Sequence, residues 1–215
     1  PKLIIKSVFS HLATSDDAGF DDFTRKQLAH FELESNKIIK EFDYPIIRHI
    51  ANSAAISRFP EAQYGMVRLG ISLYGIATDP NIQKQLKVVS TLKTIITQIK
   101  SIKKGESVGY SRAFIAAHDM RIATIPIGYA DGFDRRFSQG KGKLLIKNKL
   151  VPIIGNVCMD MCMVDLEDLQ IEQGDEVIVF GENPNIQTLA EQINTIPYEL
   201  LTSVSSRVKR IYLQE

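Results

Sequence analysis

Arginine is seldom buried without a partner, and Arg68 sits inside the apolar run Met66-Val67-Arg68-Leu69-Gly70. A structural ion pair at a strand end is the simplest account of it. Ser53 places a hydroxyl at the start of a short helical stretch, where unfilled backbone N–H groups and the helix dipole serve either a capping side chain or an anion. Gly70 allows close backbone approach and, with Ile71, offers N–H groups, although a tight turn explains the glycine as well. Cys158 and Cys162 look at first like ligands. Four apart on a strand they share a face but stand roughly 13 Å apart at ~3.3 Å per residue, too far for a disulfide or two zinc thiolates. No metal site is expected. Taken alone, Tyr110 reads as a core aromatic with a satisfied hydroxyl, and His11 as a satisfied histidine at a strand end.

The elements that must position these groups change character along the chain. Residues 3–9 are short and β-branched-rich and read as a buried strand. Residues 24–42 carry Leu28, Phe31, Ser35, Ile38, Ile39 and Phe42 near helical spacing, and Pro45 stops the helix before a second strand at 46–50. Asn52-Ser53 caps a short helix through Ile56, ended by Phe59-Pro60. Strand, helix, strand is the α/β barrel or doubly wound pattern. Only about half a barrel is expected here, which leaves open sheet edges for further sequence or partner chains.

Thr78-Asp79-Pro80-Asn81 punctuates the chain, and a domain boundary is expected there, giving 1–80 and 81–215. Beyond it the pattern is mostly β. Strands are expected within 88–102 and at 121–127, 143–147, 161–166, 176–180 and 206–213. A short helix is expected at 188–196 with Thr188 as its cap.

Composition narrows the function classes. The chain has 215 residues, 44% hydrophobic and 24% charged, with a formal net charge of +1, and its basic residues are scattered, so it carries no nucleic-acid footprint. No apolar run approaches the ~18 residues that span a bilayer, and nothing reads as a signal peptide. Two cysteines make no disulfide framework, which leaves a reducing cytoplasm as the default compartment. Pro1 leads straight into an apolar run, which suggests the start of a fragment.

Seven ordered blocks then carry a resemblance. They are Ser10-His11-Leu12-Ala13-Thr14-Ser15-Asp16, His49-Ile50-Ala51-Asn52-Ser53, the run 66–75, Val108-Gly109-Tyr110-Ser111-Arg112-Ala113-Phe114, Ile125-Pro126-Ile127-Gly128-Tyr129-Ala130-Asp131-Gly132, Gly155-Asn156-Val157-Cys158-Met159-Asp160 and Pro197-Tyr198-Glu199. In order and spacing they resemble the signatures of the alanine racemases, over essentially the whole chain. The resemblance implies the second half of a (β/α) barrel that binds pyridoxal 5′-phosphate, followed by a β-rich domain: α/β plus mainly β. It also implies a homodimer whose two sites exchange residues. The family's cofactor-bearing lysine lies on the first barrel strand, and no segment here resembles that motif. An arginine that helps orient the substrate carboxylate belongs to the same absent half.

The resemblance also assigns roles. Tyr110 is one of the two proton-transferring bases, and His11 hydrogen-bonds it; a tyrosine with a free pKa of about 10 needs nearby donors or cations to serve as a base. Arg68 faces the cofactor's ring nitrogen. Ser53, Gly70, Ile71 and Tyr198 hold its phosphate. Met159 lies near the substrate, and Tyr129, Asp131, Arg135 and Asp160 border the access path. The implied activity is interconversion of L- and D-alanine for peptidoglycan, with this 215-residue polypeptide inactive alone. The alternatives are a serine racemase of the same fold, or a non-catalytic dimerisation module of a longer fused wall-synthesis enzyme. A decarboxylase of the same fold would place an acid where Arg68 stands.

Overall fold

The computed structural model describes residues 3–213, so Pro1, where the fragment start was read, lies outside the described residues. The chain forms two compact units, one running to Val89 and the other beginning at Ser90.

The first unit is a βαβ unit with a short helix after it. Strand β1 (Ser7–Phe9) and strand β2 (Ile47–His49) pair in parallel, with Ser7 opposite Ile47 and Phe9 opposite His49. Helix α1 (Asp21–Ile39) crosses between them, as a parallel connection requires. It starts earlier than residue 24 because Asp21 and Asp22 suit the positive end of the helix dipole, and it frays before Phe42 on the approach to Pro45. Its buried stripe is Thr24, Leu28, Phe31 and Ser35, as the spacing predicted for the last three, whereas Ile38 is exposed. The strands are shorter than expected: residues 3–6 lie outside β1.

Helix α2 (Ser53–Arg58) is capped by Asn52, whose Oδ1 accepts the Ala55 N–H at 3.0 Å. Leu12, Leu28, Phe31, Ile50, Ala51, Ala55, Phe59 and Ala62 form this unit's core. Arg58 closes it, donating to Ser15 O at 2.6 Å and pairing with Asp21 at 2.5 Å. Residues 71–74 make a 3-10 turn, and the Asp79-Pro80 punctuation proves to be the capped start of a one-turn helix, α3 (Pro80–Gln83).

The second unit is built on a seven-stranded antiparallel sheet. Its strands are β3 (Leu92–Ile95), β4 (Gln98–Ile102), β7 (Met120–Ile125), β8 (Lys143–Ile146), β9 (Lys149–Ile154), β10 (Cys162–Asp165) and β11 (Glu176–Phe180). Their spatial order is β3-β11-β8-β9-β10-β7-β4, and β5 (Ser107–Val108) with β6 (Phe114–Ile115) forms a separate ribbon. The β8–β9 hairpin turns on Lys147 (φ 45°) and Asn148 (φ 65°), the two positive-φ residues that a tight hairpin needs.

One strand was not foreseen and two sequence expectations fail here, for identifiable reasons. Strand β9 was not foreseen because it contains Pro152, which cannot donate to a ladder. Helix α4 (Ile186–Gln192) begins earlier and is capped by Asn185, whose Oδ1 accepts the Thr188 N–H at 2.8 Å; Thr188 is the capped residue, not the cap. Residues 206–213 form no strand. The Arg210 guanidinium donates to the carbonyls of Val204, Ser205 and Val208, folding the segment on itself. Before it comes helix α5 (Pro197–Ser203), with proline at its first position.

Candidate functional site

Arg68 is the hub of the first unit. Its backbone N–H donates to Ala51 O at 2.9 Å, which sets the 66–70 segment beside the end of β2. From there the guanidinium spans the carboxyl ends of both strands. Nη1 donates to His49 Nδ1 at 2.6 Å and to His49 O at 3.4 Å. Nη2 donates to Ser10 O at 2.8 Å, His11 Nδ1 at 3.2 Å and Ile50 O at 3.4 Å. A guanidinium has only donors, so both Nδ1 atoms must be acceptors, and each neutral ring carries its proton on Nε2.

Phe9 stacks on His49 at 5.2 Å between centroids, and Arg68 lies over the Phe9 ring at 5.6 Å. Burial first, and then the Arg68 charge, holds the His49 pKa below the ordinary imidazole value. Among the described residues no carboxylate pairs with Arg68, so a structural ion pair does not account for it.

Ser53 and Gly70 meet close by. The Ser53 Oγ accepts the Gly70 N–H at 2.8 Å, and because Asn52 already caps α2, the Ser53 hydroxyl proton is left to donate outward. Gly70 thus spends its N–H on the serine. The Ile71 N–H, which opens the 3-10 turn, has no acceptor within that turn.

The second unit carries the remaining candidates. Tyr110 stands on the turn between β5 and β6, 74% exposed, in a run of left-handed backbone at Gly109 (φ 76°), Ser111 (φ 59°) and Arg112 (φ 50°). The nearly buried Asn156 donates to its carbonyl at 3.4 Å. Residues 128–132 form a second turn. The Tyr129 and Ala130 N–H groups each donate at 3.0 Å, to Cys158 O and Met159 O respectively, so this turn is pressed onto the loop that carries Met159 and Asp160. Gly128 is required there, since a Cβ would stand 2.2 Å from Cys158 O.

Asp131 accepts the Gly128 N–H at 2.9 Å on Oδ2 and the Arg207 Nε–H at 2.8 Å on Oδ1, while Arg207 Nη2 donates to Asp160 at 2.6 Å. The two acidic candidates are therefore brought together by a cation that sequence reading missed. Arg135 is exposed and has no ion pair among the described residues; its neighbour Arg136 instead bonds Asp134 and Glu199. Tyr198 sits half-exposed in the first turn of α5. Cys158 and Cys162 are free thiols, and burial pushes Cys162 far up. Among the described residues no cluster of three His, Cys, Asp or Glu side chains is placed to hold a metal.

Comparison with known proteins matches each unit to a domain of one family. The family model for the alanine racemase N-terminal domain matches residues 1–78, and that for the alanine racemase C-terminal domain matches residues 89–212. The chain belongs to the alanine racemase family. Alanine racemase 1 of Clostridium acetobutylicum is 41% identical over 220 residues, covering 99% of this chain but 56% of the relative. Among solved structures, the alanine racemase of Clostridium difficile 630 in complex with cycloserine superposes with a TM-score of 0.86 at 37% identity, over 95% of this chain and 55% of that one. The alanine racemase from Bartonella henselae with covalently bound pyridoxal phosphate gives 0.85 at 34%, over 99% and 58%.

The chain thus spans a little over half the length of the alanine racemases it matches. The fold is the expected one, part of a barrel followed by a β-rich domain. Within it, His11, Arg68, Ser53, Gly70 and Ile71 lie in the first unit, and Tyr110, Tyr129, Asp131, Arg135, Met159, Asp160 and Tyr198 in the second. His49 and Arg207 were not singled out from sequence. His49 heads one of the seven blocks, but only the β1–β2 register shows that its ring faces Phe9 and Arg68.

Proposed function

We propose that these residues belong to a pyridoxal-phosphate-dependent alanine racemase that interconverts L- and D-alanine for peptidoglycan synthesis. In this reading it is a cytoplasmic homodimer that exchanges residues between its two sites. The observation that carries the reading is the way Arg68 is held: a permanent cation fixed by two imidazoles and three carbonyls, with no carboxylate among the described residues to neutralise it. The donor set fits the cofactor. Ser53 keeps a hydroxyl proton, Ile71 an N–H and Arg68 its charge, which suits a phosphate at one end and a ring nitrogen at the other. Pyridoxal phosphate, when bound, supplies the electron sink for the carbanion left when the substrate loses its Cα proton.

The chain's own residues then divide the work. With the cofactor bound, the Arg68 charge would oppose protonation of its ring nitrogen, which would favour plain proton return over side reactions. His11, with Nδ1 engaged by Arg68, retains Nε2–H as a donor that lowers the basicity of a phenolate partner. Tyr110, contributed to the opposite subunit's site, takes the Cα proton from its face of the substrate in one direction of reaction and delivers a proton to that face in the reverse direction, while a lysine of the first barrel strand serves the opposite face. Ser53, Gly70, Ile71 and Tyr198 would hold the phosphate, with the Gly70 N–H orienting the Ser53 hydroxyl. Met159 borders the substrate, and Tyr129, Asp131, Arg135 and Asp160 line its approach. A decarboxylase of this fold would need an acid in place of Arg68.

The test is isotopic. In the intact holoenzyme in deuterated water, Tyr110→Phe should slow exchange of the Cα hydrogen from one enantiomer by about 10²-fold or more, the scale of general acid–base catalysis, and affect the other far less. Equal exchange rates for both enantiomers, unchanged from the parent, would remove Tyr110 from the mechanism.

A further inference from the structure

Neither the turn that carries Tyr129 nor the loop that carries Met159 and Asp160 is anchored in a strand at those residues. Tyr129–Asp131 is a single 3-10 turn, and residues 155–161 leave the sheet between β9 and β10. Two backbone hydrogen bonds join them, from Tyr129 N and Ala130 N. A third segment follows α5: Ser205 N donates to Asp131 O at 3.1 Å, and Ser203 Oγ to Gly132 O at 3.1 Å. From this segment Arg207 reaches back with two arms, Nε to Asp131 and Nη2 to Asp160. A planar guanidinium fixes the separation of two carboxylates as a lysine cannot.

We propose that Arg207 is a positioning residue for the substrate approach, holding the Met159–Asp160 loop against the Tyr129 turn through a shared guanidinium. The proposal rests on the alanine racemase reading for its consequence and on geometry alone for the contact. Removing Arg207 leaves two carboxylates facing one another with no cation between them. They respond unequally. Asp131 keeps the Gly128 N–H, and its side chain is only 15% exposed, so it stays. Asp160, whose side chain is 54% exposed with Arg207 as its salt-bridge partner, swings towards solvent and takes Met159 with it. Arg207 touches no reacting atom in this scheme, so its loss weakens ground-state and transition-state binding together and shows in KM rather than kcat.

Two measurements test the contact and its consequence separately. Amide hydrogen exchange on the full chain reports the contact directly, because the Tyr129 and Ala130 N–H groups donate across it. Arg207→Met should speed exchange at these two amides about tenfold while leaving β8 and β9 unchanged, and Arg207→Lys should fall between. Unchanged protection at Tyr129 and Ala130 overturns the proposal whatever the enzyme does.

In the intact holoenzyme, Arg207→Met should raise KM for alanine about tenfold with kcat within about twofold. Asp160→Asn added to it should cause little further change, since the two share one interaction. A wild-type KM in Arg207→Met, or independent multiplicative effects in the double variant, overturns it. Loosened amides in a parent protein that does not racemise alanine would uphold the clamp as a structural feature and reject the functional reading and the role drawn from it.

Discussion

Arg68 constrains the protonation of its neighbours as tightly as its own charge. His49 Nδ1 accepts at 2.6 Å from a group that can only donate, so a proton on that nitrogen would set two donors against each other. Burial and the Arg68 charge both depress the folded-state pKa of His49. The sign follows directly: above the unfolded value near 6.5 the ring is neutral in both states and its contribution to stability is complete. As pH falls below that value the unfolded chain takes up the proton first, and the contribution is lost as pH descends through the lower folded pKa. Urea unfolding of the chain should therefore show a midpoint that drops between pH 7 and 5, with part of the drop abolished in His49→Phe. That variant should itself cost about 1–3 kcal/mol at pH 7.5 through the donor left without its acceptor. Identical pH slopes in the two proteins would assign the titration to another group. Arg68 was legible in the sequence because a cation inside an apolar run has few explanations. His49 was not, because an imidazole at a strand end has no periodic signature and its meaning depends on which residue the parallel register sets opposite it.

At the scale of elements, Gly132 and Gly174 make a controlled pair. Both occupy left-handed backbone, at φ 99° and 95°, where an L side chain is strained. They differ in space: a Cβ on Gly174 meets nothing within 4 Å, whereas one on Gly132 would lie 2.3 Å from Ser203 O. Alanine at 174 should cost about 1 kcal/mol for backbone conformation alone. Alanine at 132 should cost about 2–4 kcal/mol, because the segment after α5 must also move off the Tyr129 turn. Equal melting temperatures for the two variants would mean that the approach of 203–205 to this turn contributes nothing.

The same contrast explains what the sequence revealed of the elements. Strands β7, β8, β10 and β11 were foreseen to within a few residues, since each buries alternating or continuous apolar positions in a sheet covered by its own unit. The segment 206–213 has a comparable pattern, yet its basic residues satisfy nearby carbonyls and carboxylates instead of a ladder. Hydropathy does not record that choice.

The two units differ most in what surrounds their strands. In the second, five of the seven sheet strands have neighbours on both sides, and Leu144, Ile146, Val151, Ile153 and Val164 are wholly buried. In the first, β1 and β2 have only each other among the described residues, and a two-stranded pair is marginal unless more sheet or a helix covers it. The first unit also leaves Phe9, Leu33, Ile47, Leu69 and Leu73 exposed, consistent with a chain that spans little more than half of its relatives. Unfolding of this 215-residue chain should therefore not be a single transition. Hydrogen exchange should find β1, β2 and α2 opening at lower free energy than β7 to β10, and a dye that binds apolar surface should report before the sheet of the second unit melts. The same chain, supplied with pyridoxal phosphate and L-alanine, should form no D-alanine, because no segment in it resembles the lysine-bearing motif. Equal protection in both units would show that the two strands need no further neighbours, and turnover by the chain alone would show that a different group supplies the second base.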